Sequence, residues 1–593
     1  MPTVADVSLI ERTLLAVRHS RPALASIAVG AVVLAGCTAD PQPTPSPTQT
    51  SATELVAEVT TPRTTTVVAT DDAVRTAVAA SREVYAQAPL VVLAEDDPAA
   101  LATAASVAVA AGTPLLLDDG GAGRLTAEFD RLGTSHVLTV GEVSAPEGIE
   151  AAAVPEDLGR LSAVGIDLGE RQTVEESELV EQVAALDRPE TVVLDLGDTP
   201  SATETEKSST TLSLPGWSST SAPSGSAEAD LWTDGTTVAT PSSAPSRTTL
   251  LIDPTDDLDP SMLIPALASA RAAGVPVIEM PGGDPRASTE TVQALADIDT
   301  ALAVGNSFES TDRLTTRLQT VATGVELPGG GQLMFPEGPA LTGKKYVALY
   351  GTPGTPALGV LGEQDVPATI ARAEETARGY RALTDDHVVP TLEIIATIAS
   401  AGPEADGSYS RGRSVDELRP LIEAAGDAGM AVVIDLQPGR TDFLTQAQRY
   451  AELLEYPHVG LALDPEWRLA PDQVHLRQIG SVSADEVNQV SDWLAQFVRD
   501  RDLPQKMFLL HQFSLRMITD RERLNVDHDE LATVIHADGQ GSQPAKAGTW
   551  TTLHQGAPPV HWGWKNFYDE DQPMLTPEQT YQVQPTPDLV TYQ

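Results

Sequence analysis

From Pro89 onward the chain repeatedly sets a short, continuous apolar run against a longer amphipathic or Ala-rich stretch. A run that is apolar at every position has no polar face to leave in water. Such runs are strands buried on both sides, and the stretches between them have helical spacing, so the chain is confined to β-α-β units with parallel sheets. One unit reads PLVVLAEDDPAALATAASVAVAAGTPLLLDD from Pro89 and closes with SHVLTVGEV at Val143; a second reads TLLIDPTDDLDPSMLIPALASARAAGVPVIEM from Thr249 and closes with TALAVGNS at Ser307. In both, a Gly stands where the helix should stop (Gly112, Gly274), and the Pro two residues later prevents its continuation. A shorter run, RPETVVLDLGD from Arg188 to Asp198, reads as the relic of a further unit.

The C-terminal part repeats the alternation in a different dialect. Its apolar runs are KYVALYG, HVVPTLEIIATIAS, MAVVIDLQ, HVGLALDPEW, KMFLLHQF and ELATVIHADGQG, with a last strand near Val560 to Lys565. Helical segments fall at about Pro367–Leu383, Val415–Ala428, Asp442–Glu455 and Ala484–Asp500. About seven β-α units in roughly 250 residues have the length of a (β/α)8 barrel; a doubly wound sheet is the alternative. The fold expected is therefore α/β throughout, with an N-terminal parallel repeat module over 63–330 and a TIM-barrel-like domain over 341–593.

The segment before the first unit carries a different signal. Arg12, Arg18, His19 and Arg21 precede an apolar run from Ala23 to Leu34, which suits a signal-peptide core and is short for a membrane span. The run ends in Leu34, Ala35, Gly36 and Cys37, and Cys37 is the only cysteine among 593 residues. These residues resemble the lipobox of bacterial lipoproteins. The resemblance implies removal of residues 1–36, lipidation of Cys37 and anchoring on the outer face of the cytoplasmic membrane; an ordinary signal peptide with a chance Cys is the other reading. PQPTPSPTQTSATE after Cys37 reads as an extended tether over 37–62, and the Ser/Thr/Pro-rich stretch 201–247 as a disordered insertion.

The repeat units resemble the bacterial cell-wall-binding repeat of type 2, whose pattern includes an Asp-x-x-Ala-Ala helix, a Gly-x-Pro-Ile-Leu-Leu strand and a Val-Gly-Gly ending. The double Gly is replaced by Gly141-Glu142 and Gly305-Asn306. The likeness covers about residues 63 to 310 and implies a non-catalytic module that engages wall glycopolymers. Asp96, Asp97, Asp256 and Asp257 follow strand ends, where α/β sheets bind ligands, and equally suit turns and helix N-caps.

In the barrel, chemistry-bearing residues collect just after the apolar runs: Tyr350, Glu393, Asp435, Gln437, Asp464, Glu466, His511, Gln512, His536, Asp538, His561, Trp562, Trp564, Lys565 and Asp569. Strand ends that all terminate this way would face one mouth. Asp464-Pro465-Glu466 places two carboxyls at i and i+2, on one side of a strand unless Pro465 bends the chain, where they push one another's pKa apart and the pair divides into a protonated acid and an ionised base or nucleophile. The strand-end Asp-x-Glu with flanking aromatics is similar to that of barrel-type glycoside hydrolases, which implies Glu466 as acid and Asp464 as its partner. Glu393, Asp435, His511 and Asp538 would then orient the sugar, and Trp467 and Trp564 would stack on it. The alternatives are a turn role for Asp464, an ion pair for Glu466, core packing for the aromatics and a scaffold barrel without chemistry.

Charge narrows the partners. With 37 Lys and Arg against 84 Asp and Glu, the net charge of -47 excludes a nucleic-acid partner. A lone Cys excludes a disulfide framework. His511, His536, His554, His561 and Asp538 lack the helical i, i+4 spacing of a His-Glu-x-x-His site, so no metal is expected. Pro328, Gly329, Gly330 and Gly331 lack the Lys-Ser/Thr of a phosphate loop and read as a flexible junction, and there is no Gly-x-Ser-x-Gly elbow, so neither a cofactor nor a serine nucleophile is expected. Unequal domains disfavour a two-lobed solute-binding lipoprotein.

Overall fold

The computed structural model describes residues 53–593, apart from 61, 69–71, 122, 146, 197–230, 233–234 and 242–246. The signal peptide, Cys37, most of the tether and most of the insertion lie outside the described residues. Among the described residues, no helix is long and apolar enough to cross a membrane.

The N-terminal module is built of two sheets of the same design. In one, Leu90–Ala94 is flanked by Leu115–Leu117 and His136–Val140, with Glu150–Ala153 outside; in the other, Thr248–Ile252 is flanked by Val277–Glu279 and Thr300–Val304, with Thr66–Val68 outside. All these pairings are parallel. The Val-Gly ending of each unit has one cause. The Glu95 carboxylate accepts the Glu142 N–H at 2.9 Å, and Asp256 accepts the Asn306 N–H at 2.9 Å. Both carboxylates lie against the preceding Gly, where a Cβ would come within 2.5 Å of Glu95 and 2.6 Å of Asp256. Asp97 caps the helix Pro98–Ala111 and Asp259 the helix Pro260–Ala272, so the acidic turns do structural work.

Two stretches read as tether and insertion contribute strands. Glu54–Val56 pairs in parallel with Thr237–Ala239, burying Leu55 and Val238 on alternate positions, and Glu58–Val59 pairs with Tyr85–Gln87. The run at 188–198 yields Val193–Leu196, paired with Arg171–Val174.

The C-terminal domain is a closed parallel barrel of eight strands: β1 Lys344–Gly351, β2 His387–Ala399, β3 Ala431–Leu436, β4 Val459–Leu463, β5 Lys506–His511, β6 Leu531–Ala537, β7 His561–Asn566 and β8 Leu589–Tyr592, with β8 closing on β1. A short antiparallel strand, Ser410–Gly412, extends β2. Helices Val366–Arg378, Val415–Asp427, Phe443–Arg449, Ala484–Arg499 and Gln543–His554 cover the outside.

The Gly-rich junction is not a free linker. Leu327, Met334 and Phe335 plug the N-terminal end of the barrel, Tyr346 Oη donates to the Met334 carbonyl at 2.8 Å, and Lys344 Nζ donates to the Leu333 carbonyl at 2.9 Å. The glycines serve a turn with φ of 84°, 89° and 57° at Gly329, Gly330 and Gly331. Beside the plug, Arg317 grips Asp529 through two 2.8 Å hydrogen bonds while Arg286 reaches it at 3.1 Å and pairs with Asp284 at 2.8 Å. This largely buried cluster joins the repeat module to the strand-entry end of the barrel, opposite the end at which the strands finish.

Candidate active site at the barrel mouth

Alternation along the strands separates two kinds of interior. The lower inward positions hold Tyr346, Ala348, Val389, Ala431, Val433, Ala462, Met507, Leu509, Ala532, Val534 and Leu589, an apolar filling. Further along, the same faces carry Tyr350, Glu393, Asp435, Asp464, His511, His536, Lys565 and Thr591, one from each strand or the residue that follows it. All eight are at most 3% exposed. Gly563 makes room in this layer: a Cβ there would stand 2.5 Å from His536 Cδ2.

His511 is the hub. Its Nε2 lies 2.6 Å from Glu393 Oε1 and its Nδ1 3.0 Å from Asp538 Oδ2, so both ring nitrogens face carboxylate oxygens. Burial opposes a charged imidazole, but Glu393 and Asp538 outweigh it and hold His511 well above the usual histidine range. Burial likewise opposes ionisation of Glu393, and the His511 charge and hydrogen bond bring that carboxyl down to about 2. Thr591 Oγ1 donates to Glu393 Oε2 at 3.1 Å. Tyr350 Oη donates to Asp435 Oδ2 at 2.9 Å and Gln437 Nε2 donates to Tyr350 Oη at 3.2 Å. Lys565 Nζ stands 3.5 Å above the Tyr350 ring.

Burial, with Glu393 beside it, pushes Asp435 up to about 6. Burial also pushes Glu466 up to about 7, with Asp538 as the next cause, and raises Asp464 well above the usual range, helped by Glu466. Asp538 is lowered: burial opposes ionisation, and the hydrogen bond and charge of His511 prevail.

Several expected site residues fall elsewhere or act differently. Asp464 and Glu466 do not share a strand face, because β4 ends at Leu463 and Pro465 starts a single 3-10 turn, Pro465–Trp467. Asp464 Oδ1 accepts the Glu466 N–H at 3.3 Å and shapes that turn. Trp467 stays at the mouth, half-buried, its ring 5.3 Å from His475. Trp564 does not: it is 2% exposed on the outer face of β7, packed 5.5 Å from Trp550, with Nε1 bonded to Asn566. Alternation sends Trp562 to the same outer face, stacked on His554 at 3.6 Å. His561 begins β7 at the opposite end of the barrel, stacked on Phe335 at 3.9 Å.

His536, Lys565 and Tyr350, which sequence reasoning noticed as strand-end residues without giving them site roles, belong to the inner ring. Thr591 was missed altogether, since a four-residue final strand carries little signal.

No family model and no curated protein matches the chain. Among solved structures, it is similar to Cwp6 from Clostridium difficile at 14% identity and a TM-score of 0.29, over 64% of this chain. The alignment spans 63% of the length of Cwp6, less than two thirds of it. Oxaloacetate acetylhydrolase is similar at 14% identity and TM-score 0.25 in complex with the product oxalate, and at 13% and 0.26 with the inhibitor 3,3-difluorooxalacetate, in both cases over 42% of this chain and 75% of that one. At these scores the likenesses decide nothing about function, which rests on the geometry of the mouth.

Proposed function

We propose that this chain is a lipid-anchored, extracytoplasmic hydrolase that acts on cell-wall glycans at the mouth of its barrel, with Glu466 as the proton donor. The observation that carries the reading is the ring of polar side chains gathered at one end by all eight strands or the residues that follow them, with Glu466 and Asp538 beside it; burial pushes Glu466 up to about 7, and His511 holds Asp538 below the usual aspartate range. A carboxyl that keeps its proton near neutrality next to one that does not is the division of labour that glycosidic cleavage requires. Asp538 therefore replaces Asp464 as the partner carboxylate, and its Oδ1 has no hydrogen-bond partner. Trp467 holds the sugar, while His511, itself held by Glu393, fixes Asp538 from below. Leu476, Ile479 and Leu515, exposed by 89%, 48% and 45% on the loops after β4 and β5, give the rim apolar surface for an extended polymer. Anchoring through Cys37 would place this mouth in the wall.

The test is release of reducing ends from purified wall glycans by the whole chain, because Arg286 and Arg317 tie the module to the barrel and argue against an isolated barrel fragment. Release by the parent and its loss in Glu466→Gln supports the reading; no release from any wall glycan by the parent overturns it.

One observation favours a second reading, a wall-binding scaffold. Glu393, Asp435, His511 and His536 are at most 1% exposed, as befits a closed structural network. Retention of the chain on walls, with no bond cleaved, would select it.

A further inference from the structure

The hydrogen bonds of the inner ring are arranged on one side. Glu393 is held through Oε2 by Thr591, His511 through Nδ1 by Asp538, and Asp435 through Oδ2 by Tyr350. In each case the other polar atom of the group is turned toward its neighbours. His511 Nε2 faces Glu393 Oε1 at 2.6 Å and Asp435 Oδ1 at 3.8 Å, and Asp435 Oδ1 has no hydrogen-bond partner. His536 lies fully buried beside them, its ring centroid 4.9 Å from that of His511, with neither ring nitrogen partnered. An imidazole with two unsatisfied nitrogens in a protein interior is costly, and such a group calls for an explanation.

We propose that this floor of the mouth is a divalent metal site, with Glu393, His511 and His536 as ligands and Asp435 as the fourth. One ligand atom from each of Glu393, His511 and His536 lies within 4.8 Å of the others. Ligands about 2.0–2.2 Å from a common ion lie up to about 4 Å apart, so small inward shifts assemble the set, and the short contact between His511 and Glu393 opens to admit the ion. Asp538, Thr591 and Tyr350 are the outer partners that orient metal-bound imidazoles and carboxylates. Two imidazoles with two carboxylates suit zinc, manganese, iron(II) or cobalt and not calcium. No helical ligand motif announces the site, because its four ligands come from four separate strands.

The inference stands apart from the hydrolase reading, since it is read by binding and not by turnover. The whole chain, stripped with chelator and dialysed, is titrated with Zn2+ in a calorimeter and with Co2+ in a spectrophotometer. The expected result is one ion per chain, with binding weakened by more than about 100-fold in His536→Gln and by about 10–100-fold in Thr591→Val. His528→Gln, at an imidazole paired with Asp492 outside the barrel, binds as the parent does. If His536→Gln fails to fold, Asp435→Asn takes its place with the same expected loss. Absence of binding by the parent, or parental affinity in the folded ligand variant, overturns the proposal.

Discussion

His511 Nε2 and Glu393 Oε1 meet at 2.6 Å although 118 positions separate them in the chain, and neither residue is more than 1% exposed. Each compensates a charge that the other could not carry alone in that interior. Truncating one partner leaves the second buried and unpaired, which typically costs about 3–5 kcal/mol. His511→Ala is expected to lose about that much in urea denaturation. Combined with Glu393→Gln, the loss should fall short of the sum of the two single losses, because the second substitution removes the stranded charge. Additive losses would show that the contact contributes no coupling.

Gly563 makes a second prediction, because here a missing side chain is part of the site. A Cβ at this position would lie 2.5 Å from His536 Cδ2 and 3.3 Å from its Cα, with no flexible chain end to yield. Gly563→Ala is expected to cost about 1–3 kcal/mol as an overpacked core. Gly556→Ala is no clean control, since its φ of 65° adds backbone strain; Gly548, with nothing near its would-be Cβ and in a helix, is. Gly548→Ala should be neutral or stabilising by up to about 1 kcal/mol. Thermal unfolding of the two variants side by side checks the contrast.

How much of this was legible in the sequence follows from which signals are local. The parallel α/β architecture was legible, because a run such as VVLAEDD or AVVIDLQ cannot sit at a wet surface, and β1 to β7 lie where those runs lie. The convergence of Glu393, Asp435, His511 and Asp538 was also legible, since barrel topology sends strand ends to one mouth. What depends on strand phase was not. Trp564 and Lys565 are neighbours in sequence and face opposite ways, and only the register of β7 decides which one enters the barrel. Asp464-Pro465-Glu466 failed as a strand pair because Pro465 ends the ladder. The plug formed by Leu327, Met334 and Phe335 was hidden by the glycines within it, which signal a turn equally well whether it is free or packed.

Asp529 supplies a dependence of stability on pH. Burial opposes its ionisation, but the hydrogen bonds from Arg317 and the nearby Arg286 charge hold its carboxyl at about 2, against an ordinary value of 3.8. The folded state therefore prefers the ionised form. The resulting stability is fully present above pH 3.8 and is lost as pH falls through about 2. The difference corresponds to roughly 2 kcal/mol. Asp529→Asn should be less stable than the parent at neutral pH, and the gap should narrow on acidification below pH 3.8. A gap of constant size between pH 7 and pH 2, followed by denaturant unfolding, would remove the carboxylate from the account.

Glu466 decides the dependence of turnover on pH if the mouth is a hydrolase. Burial and the neighbouring Asp538 charge raise its carboxyl to about 7, so about half of the molecules carry the proton at neutral pH and lose it as pH rises further. A general acid must hold that proton when the glycosidic oxygen leaves, so kcat/KM is expected to fall by about tenfold for each pH unit above that value. The opposite limb depends on ionised Asp538, which His511 keeps below the usual aspartate range. That limb lies in the acid region where Asp529 is already giving up its contribution to folding, so only the alkaline limb is open to measurement. Asp435, raised to about 6, titrates close by and would shift the apparent midpoint. The two are separated by chemistry. With a substrate whose leaving group needs no protonation, such as a nitrophenyl glycoside, Glu466→Gln should retain much of the parental rate and the parent itself should lose its alkaline limb, whereas an Asp435 origin would leave that limb in place. A limb that persists in Glu466→Gln would assign the proton to another group.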